Sequence, residues 1–520
     1  MPPAPINRRS MLGGVTALAA LGLLSACSGP GAQLEFDTSG PPQKGGTLRV
    51  GITGGSSADT LDAHTATNQG DYARTQNLYE CLATRDREYK LRMRLADSIE
   101  PNDTATVWTV KLRSGVKFSN GRPLEPEDVI ASFKRITDPD NPGTGAAGLA
   151  TLDKVVKTGP ATVEFRLKAP NSIFDDTLSQ VDNNIVPRDY DPDEPVGTGP
   201  FMLDSFEPGQ QTTLVRNPHY WDGEPYLDQV QLLNFNDDDA VINALLSSQV
   251  DCVAAIPMAL VKVIEADPRM KILDSVTGRW LPLTMRVDQK PFDDKRVRQA
   301  FRLVVDRQQM IDQVLSGYGT IGNDIFAPMD PEGPKFPQRT RDVEKAKQLL
   351  ADAGYPDGLS VELVTAPINP GVVESAQVYA QQAKDAGITV TIKRVDSTTF
   401  YGEGNYLSYP FSQSFWNTKN FLPQADQCTV KASPFNETHW NDADYNELLA
   451  KSKAALDPAQ RKKHMEAAQR MLYDDGGYII WGFANNVDAY QSYVVGLETS
   501  ASGYPLGRYA FAKVWIGDVK

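Results

Sequence analysis

The sequence predicts an α/β fold built in several layers. Three observations carry that prediction. Short stretches in which apolar residues alternate with polar ones, the period of a strand, recur along the chain. Between them lie stretches with apolar residues three and four apart, the period of a helix. The 520 residues, 41% of them hydrophobic, amount to three to four domain lengths of roughly 150 residues, enough for several cores.

The elements follow in order. Gly45-Gly46 is a turn from which Leu48, Val50 and Ile52 leave in strand period. Val107, Val110 and Leu112 repeat it, Gly115 turns, and Pro126-Glu127-Asp128 opens a helix with Val129, Ile130, Phe133 and Ile136 on one face. Acidic residues in that first turn suit the positive end of the helix dipole. Val163, Phe165 and Leu167 alternate, as do the residues around Leu214 and then Val230, Leu232 and Phe235. Asp237-Asp238-Asp239 resembles a cation loop at a glance, but Ala240, Val241, Ala244 and Leu245 follow at helical spacing, so a helix N-cap is the better account. One long helix is expected from about Asp294 to Leu315, closed by Gly317, because Val297, Ala300, Phe301, Val304, Ile311, Val314 and Leu315 keep helical spacing. A helix over Asp342 to Ala353, a strand through Leu359, Val361 and Leu363, a helix over Glu374 to Ala386 and a strand through Ile388, Val390 and Ile392 give the cadence of α/β layers. Helices over Tyr445 to Ala455 and Pro458 to Tyr473 end the series.

Charge narrows the function. Lys and Arg number 52 against 66 Asp and Glu, a formal net charge of -14. Nucleic acid is excluded as a partner, because duplex binding needs a basic face that displaces counterions from phosphates; an anionic membrane surface is disfavoured for the same reason. The first residues read as an address. Arg8 and Arg9 precede an uncharged run from Met11 to Ala26 that ends in Leu24-Ser25-Ala26-Cys27. That run falls short of the roughly 20 residues a membrane-spanning helix needs and suits a signal peptide. Asn7-Arg8-Arg9-Ser10-Met11-Leu12 resembles a twin-arginine export signal, and the Leu-Ser-Ala-Cys box resembles a bacterial lipoprotein cleavage site. The resemblance implies a signal peptide over 1–26, lipid on Cys27 and a flexible tether over 27–45. The body is then expected outside the cytoplasmic membrane and held to it by the lipid anchor only.

Catalytic motifs find no support. Beyond Cys27 the sequence has Cys81, Cys252 and Cys428, so at most one disulfide forms, in any of three pairings; buried, reduced thiols are an equal alternative. Gly143-Thr144-Gly145-Ala146-Ala147-Gly148 fits a dinucleotide fingerprint, yet it follows a helix and a Pro-rich turn instead of a strand, and is expected to be a surface loop. No two of the four histidines lie within a helical turn of each other, which leaves metal catalysis without a motif. Ser56 and Ser57 lack the setting of a hydrolase nucleophile. No metal, cofactor or enzymatic activity is expected, and a secreted hydrolase is a remote alternative.

Five blocks identify a family. They are Leu112-Arg113-Ser114-Gly115-Val116-Lys117-Phe118 with Asn120-Gly121 and Pro126-Glu127-Asp128-Val129; Gly197-Thr198-Gly199-Pro200-Phe201; Arg216-Asn217-Pro218-His219-Tyr220-Trp221; Pro291-Phe292-Asp293-Asp294 leading to Arg296-Val297-Arg298-Gln299-Ala300; and Glu344-Lys345-Ala346-Lys347-Gln348-Leu349-Leu350 ending in Ala353-Gly354-Tyr355. In that order they resemble the extracellular solute-binding proteins, family 5, the peptide-type binding lipoproteins of ABC importers. The resemblance implies a class II two-lobed clamp of the periplasmic-binding-protein type that closes on its ligand and docks as a monomer on a permease with its ATPase. By this likeness the first lobe comprises 46–80, 197–278 and 484–520, an extra subdomain 81–196, and the second lobe 279–483.

The ligand site is expected around two tryptophans. Dipeptide-binding relatives hold the peptide's amino group with an aspartate shortly after a second-lobe tryptophan, and its carboxylate with an arginine upstream. Here the tryptophan is most similar to Trp416, followed by Asn417-Thr418-Lys419-Asn420, with a lysine about where the aspartate is expected and Asp426 as a substitute in a shifted loop. The upstream stretch 366–371 has no arginine. Trp416 and Trp280 are expected as flat apolar walls, Asn417, Lys419 and Arg279 as polar handles, and the loop with Ser56, Ser57 and Asp59 as a third wall. A peptide-like solute is the expected ligand, with an oligosaccharide or small anionic solute as the alternative.

Overall fold

The computed structural model describes residues 36–519, apart from 403, 432 and 434. The expected signal peptide and the lipid site at Cys27 lie outside the described residues.

The first lobe is organised by an eight-stranded sheet. Its order is Met270–Trp280, Gly482–Gln491, Cys252–Val253, Thr47–Thr53, Gln229–Phe235, Gln211–Arg216 and Phe201–Glu207, with Gly319–Ile321 paired to Gly482–Gln491 off that path. Thr47–Thr53 runs parallel to the strands on both its sides, and as a central strand it buries Leu48, Val50 and Ile52. On one face Leu48, Leu214, Val230 and Leu232 pack with Tyr79 and Tyr509; on the other Val241, Leu245, Val253 and Val487 form a second core. The helix Asp238–Leu246 that supplies part of the second core starts at Asp237, whose carboxylate accepts from the Ala240 amide at 2.8 Å, as the sequence predicts.

Two further layers complete the clamp. A four-stranded antiparallel sheet of Ala96–Pro101, Val107–Leu112, Thr162–Leu167 and Leu152–Gly159 carries the helix Pro126–Ile136, and Trp108, Phe133, Phe165 and Phe174 fill the space between. The second lobe has a three-stranded sheet of Phe411–Gln413, Leu283–Met285 and Tyr478–Ile479, and a parallel pair of Leu359–Thr365 and Ile388–Arg394. Its helices bury Phe292, Phe301, Tyr379 and Trp481. The chain leaves the large sheet after Trp280, pairs with it again at Gly319–Ile321 and rejoins it at Gly482. Met270–Trp280 and Gly482–Gln491 are paired antiparallel neighbours, so these two crossings lie side by side.

The structure departs from the sequence reading in two places. The long helix expected from Asp294 to Leu315 is two helices, Lys295–Leu303 and Arg307–Val314. Asp306 causes the break: its carboxylate accepts from the Gln309 amide at 3.0 Å, and Gln382 bonds its backbone N–H and C=O at 3.0 and 3.1 Å. An N-cap of this kind contributes about 1 kcal/mol, enough to favour a new start over continuation. The expected tether is already held from Phe36 onward, since Phe36–Asp37 pairs antiparallel with Asp518–Val519 and Lys44 forms an ion pair with Glu224. The loop Gly143 to Gly148 is anchored by the Thr144 amide donating to the His64 carbonyl at 2.8 Å, and it continues into a short 3-10 turn with no strand before it. Cys81, Cys252 and Cys428 are all free and buried.

Candidate functional site

A cavity of about 450 Å³ lies between the lobes, within the range of about 300–1,000 Å³ of small-molecule sites. Its two walls are built differently.

The second-lobe wall is aromatic. Tyr401, Tyr406, Phe415, Trp416 and Phe435 line it, with Ser414, Asn417 and Lys419 among them. Trp416 follows the strand Phe411–Gln413 and exchanges two backbone hydrogen bonds with Trp280, at 3.0 and 3.1 Å. Behind its indole the rings stack in series: Trp280 at 6.0 Å, Phe326 against Trp280 at 5.5 Å, and Phe421 against Phe326 at 5.2 Å, all within 20° of parallel. Each such pair adds about 0.5–1.5 kcal/mol beyond burial, so the platform under the cavity is rigid. Tyr406 is fixed by donating its hydroxyl to the Glu437 carboxylate at 2.7 Å, and burial raises the pKa of that carboxyl group.

The opposite wall, from the first lobe and its subdomain, carries charge. Tyr72, Tyr504, Arg508, Arg85, Tyr89 and Asp182 face the space, with Thr144, Ser179 and Gln180 beside them. Burial opposes the Arg85 charge, but Asp176 outweighs it with an ion pair. Arg508 has a lowered pKa because it is desolvated. Asp182 is pushed the other way by burial, while the Lys419 charge from the facing lobe pulls it back. The walls are joined by Tyr89 donating its hydroxyl to the Thr418 carbonyl at 2.9 Å and by Asn420 donating to Asp176 at 3.0 Å. The lobes are thus in contact around the cavity.

The residues singled out from sequence divide accordingly. Trp416, Asn417 and Lys419 line the cavity. Trp280 does not: it is 1% exposed and forms the layer behind Trp416. Arg279 also lies outside the lining, its guanidinium donating to Asn486 and Asn369. The 54–59 loop is not a wall of the cavity. Ser56 and Ser57 are exposed, and Asp59 is turned inward, where it accepts from Asn234 at 3.0 Å and lies 3.6 Å from the Arg74 guanidinium. Asp426 is ion-paired with Lys453 and is not part of the lining. Arg85, Asp182, Arg508 and the tyrosines were not singled out, because they converge from segments more than 400 residues apart. One local signal was present, the Gly503 to Gly507 stretch with Pro505, which marks a special turn just before Arg508.

The family model for bacterial extracellular solute-binding proteins, family 5 (Middle), matches residues 90–433. The chain belongs to this family. Its members are substrate-binding proteins of transporters, not enzymes. This solute-binding protein is 27% identical over 498 residues to the oligopeptide-binding protein AppA of Bacillus subtilis, covering 89% of this chain and 91% of AppA. It is 25% identical over 449 residues to the glutathione-binding protein GsiB of Escherichia coli, covering 83% and 88%. The structure of AppA with a nonapeptide superposes with a TM-score of 0.74 at 25% identity, over 92% of this chain and 100% of that one. The PBP AgaA of A. tumefaciens R10, in complex with agropinic acid, gives 0.76 at 26% identity, over 91% and 99%. Among the described residues no helix is long and apolar enough to cross a membrane, and no cluster of ligating side chains suits a metal ion.

Proposed function

We propose that this family 5 protein captures a short peptide-like solute in the interlobe cavity and delivers it to an ABC permease and its ATPase, while tethered by lipid on Cys27 outside the cytoplasmic membrane. The observation that carries the reading is the pairing of an aromatic platform on one lobe with charged and hydroxyl groups on the other, around one cavity of about 450 Å³. A peptide offers a matching combination of apolar side chains, backbone hydrogen-bonding groups and charged ends. The nonapeptide and glutathione named for two relatives point the same way. A small anionic solute is the second reading, favoured by three cationic side chains in the lining against one carboxylate.

Thermal unfolding separates these readings. The protein is screened with mixed peptides, oligosaccharides and small anionic solutes in turn. A ligand at about 100 times its dissociation constant adds roughly 2.7 kcal/mol to the folded state, a rise of a few degrees in Tm. Peptides are expected to produce that rise. A rise with oligosaccharides alone contradicts the proposal, and a rise with non-peptide anions alone favours the second reading.

A further inference from the structure

The charged wall contains a cation without a counter-ion. Arg508 donates from Nε to Gln76 at 3.0 Å and from Nη1 to Thr84 and to the Arg85 carbonyl, all uncharged partners, and no ion pair engages it among the described residues. Its neighbour Arg85 is matched by Asp176. Lys419, facing from the other lobe, has a long 3.5 Å contact with Gln180 and acts electrostatically on Asp182, with no ion pair within 4.0 Å among the described residues. A desolvated guanidinium that the fold leaves unneutralised is costly unless something else supplies the anion.

The backbone that presents Arg508 is also unusual. Leu506, Gly507, Arg508 and Tyr509 are consecutive residues in the left-handed region, with φ of 48°, 64°, 69° and 55°, and three of them carry a Cβ that disfavours it. The run is held by the Leu506 amide donating to Asp488 at 2.6 Å and by Asn77 donating to the Tyr509 carbonyl at 3.0 Å. Gly507 has no room for a side chain, since a Cβ there would sit 2.3 Å from the Glu498 carbonyl oxygen. The fold therefore sustains strain at the segment that sets Arg508 against the cavity. The same wall holds the cavity's one carboxylate, Asp182, whose Oδ1 has no hydrogen-bond partner.

We propose that Arg508 is a specificity-determining residue that receives the carboxylate of the solute and that Asp182 receives its ammonium group, so the first-lobe side reads both charged ends. The ligand class is then a short amphoteric solute with both ends free. The inference rests on the cavity being the solute site. It departs from the arrangement that the resemblance to dipeptide binders implied, in which the second lobe supplies the aspartate after its tryptophan; here that lobe supplies the platform and Lys419.

The test uses four probes on the purified protein by titration calorimetry: trialanine, its C-terminal amide, N-acetyl-trialanine and maltotriose. Amidation and acetylation are each expected to weaken binding to the wild type by tenfold or more, on the order of one charge-assisted hydrogen bond. Amidation is expected to cost little in Arg508→Gln, and acetylation little in Asp182→Asn. The inference is overturned if capped and free peptides bind the wild type alike, or if amidation costs as much in Arg508→Gln as in the wild type. Equal binding of capped and free peptides leaves the peptide reading standing, whereas binding of maltotriose alone removes that reading as well. Silence toward trialanine at millimolar concentration also overturns the assignment. The comparison on the wild type decides the matter even where a variant fails to fold.

Discussion

The two walls of the cavity differ in how they are made, and the difference separates shape from charge. The second-lobe wall is an outcrop of a core: Trp416 continues a stack of Trp280, Phe326 and Phe421 that is buried behind it. The first-lobe wall is an assembly of loops, in which Arg508 sits on a left-handed run and Asp182 on a buried turn. A surface backed by packed rings is rigid but chemically uniform. Loops held by specific hydrogen bonds place charge, at the expense of backbone strain. A clamp that closes one such wall on the other tests the size and flatness of a solute on one side and its charge on the other.

Removing the layer behind the platform is expected to have the largest effect. Trp280→Ala opens a cavity in the stack and costs about 3–5 kcal/mol of stability, read as a lower midpoint in urea unfolding; a loss below about 1 kcal/mol would show that Trp280 is not structural. The next effect concerns the loop-built wall. Asp488 accepts from the Ala255 and Leu506 amides at 2.8 and 2.6 Å and faces the buried Arg279, yet burial raises its pKa to about 7. The unfolded value is near 3.9, so the folded state binds the extra proton between the two. This group's contribution to stability is therefore full below about pH 4 and is lost as pH rises through about 7. Asp488→Asn is expected to remove that slope, a difference of a few kcal/mol at order of magnitude between pH 4 and 8. The readout is the difference from wild type, because His64, held neutral by burial with a pKa of about 4, contributes with the opposite slope. Identical pH profiles for wild type and variant would contradict the assignment.

Smaller effects are expected at the contact between the walls. Asn420→Ala removes one bond from the second lobe to Asp176 and leaves the Arg85–Asp176 pair in place. Affinity should fall by several-fold, about the value of one hydrogen bond, with the unfolding midpoint nearly unchanged. An unaltered affinity would mean that this bond does not favour closure.

Much of the architecture was legible in the sequence because it rests on periodicity. Leu48, Val50 and Ile52, or Val163, Phe165 and Leu167, announce their strands, and Asp237 and Asp342 announce helix starts that the structure shows as side-chain caps. Asp306 was hidden inside an apparently continuous helical pattern, since a cap residue midway along a periodic stretch leaves the apolar spacing intact. The cavity was legible only where one segment supplied several residues, as in Trp416, Asn417 and Lys419. Trp280 carries the same chemistry as Trp416, and nothing local tells which of two stacked rings is the outer one. Asp59 shows a second limit: a polar loop after a strand suggests a wall, but the buried Arg74 draws the carboxylate inward. Arg508 and Asp182 depend on folds of the chain that bring residues 182 and 508 to one place, information that no local pattern holds.

The most direct test of the account is the affinity of trialanine for the wild type and for Trp416→Ala, measured side by side. The account predicts a loss of well over tenfold in the variant, with a folded protein whose unfolding midpoint falls by less than that of Trp280→Ala. Equal affinities for the two proteins would contradict the claim that this cavity, with Trp416 as its platform, is where the solute binds.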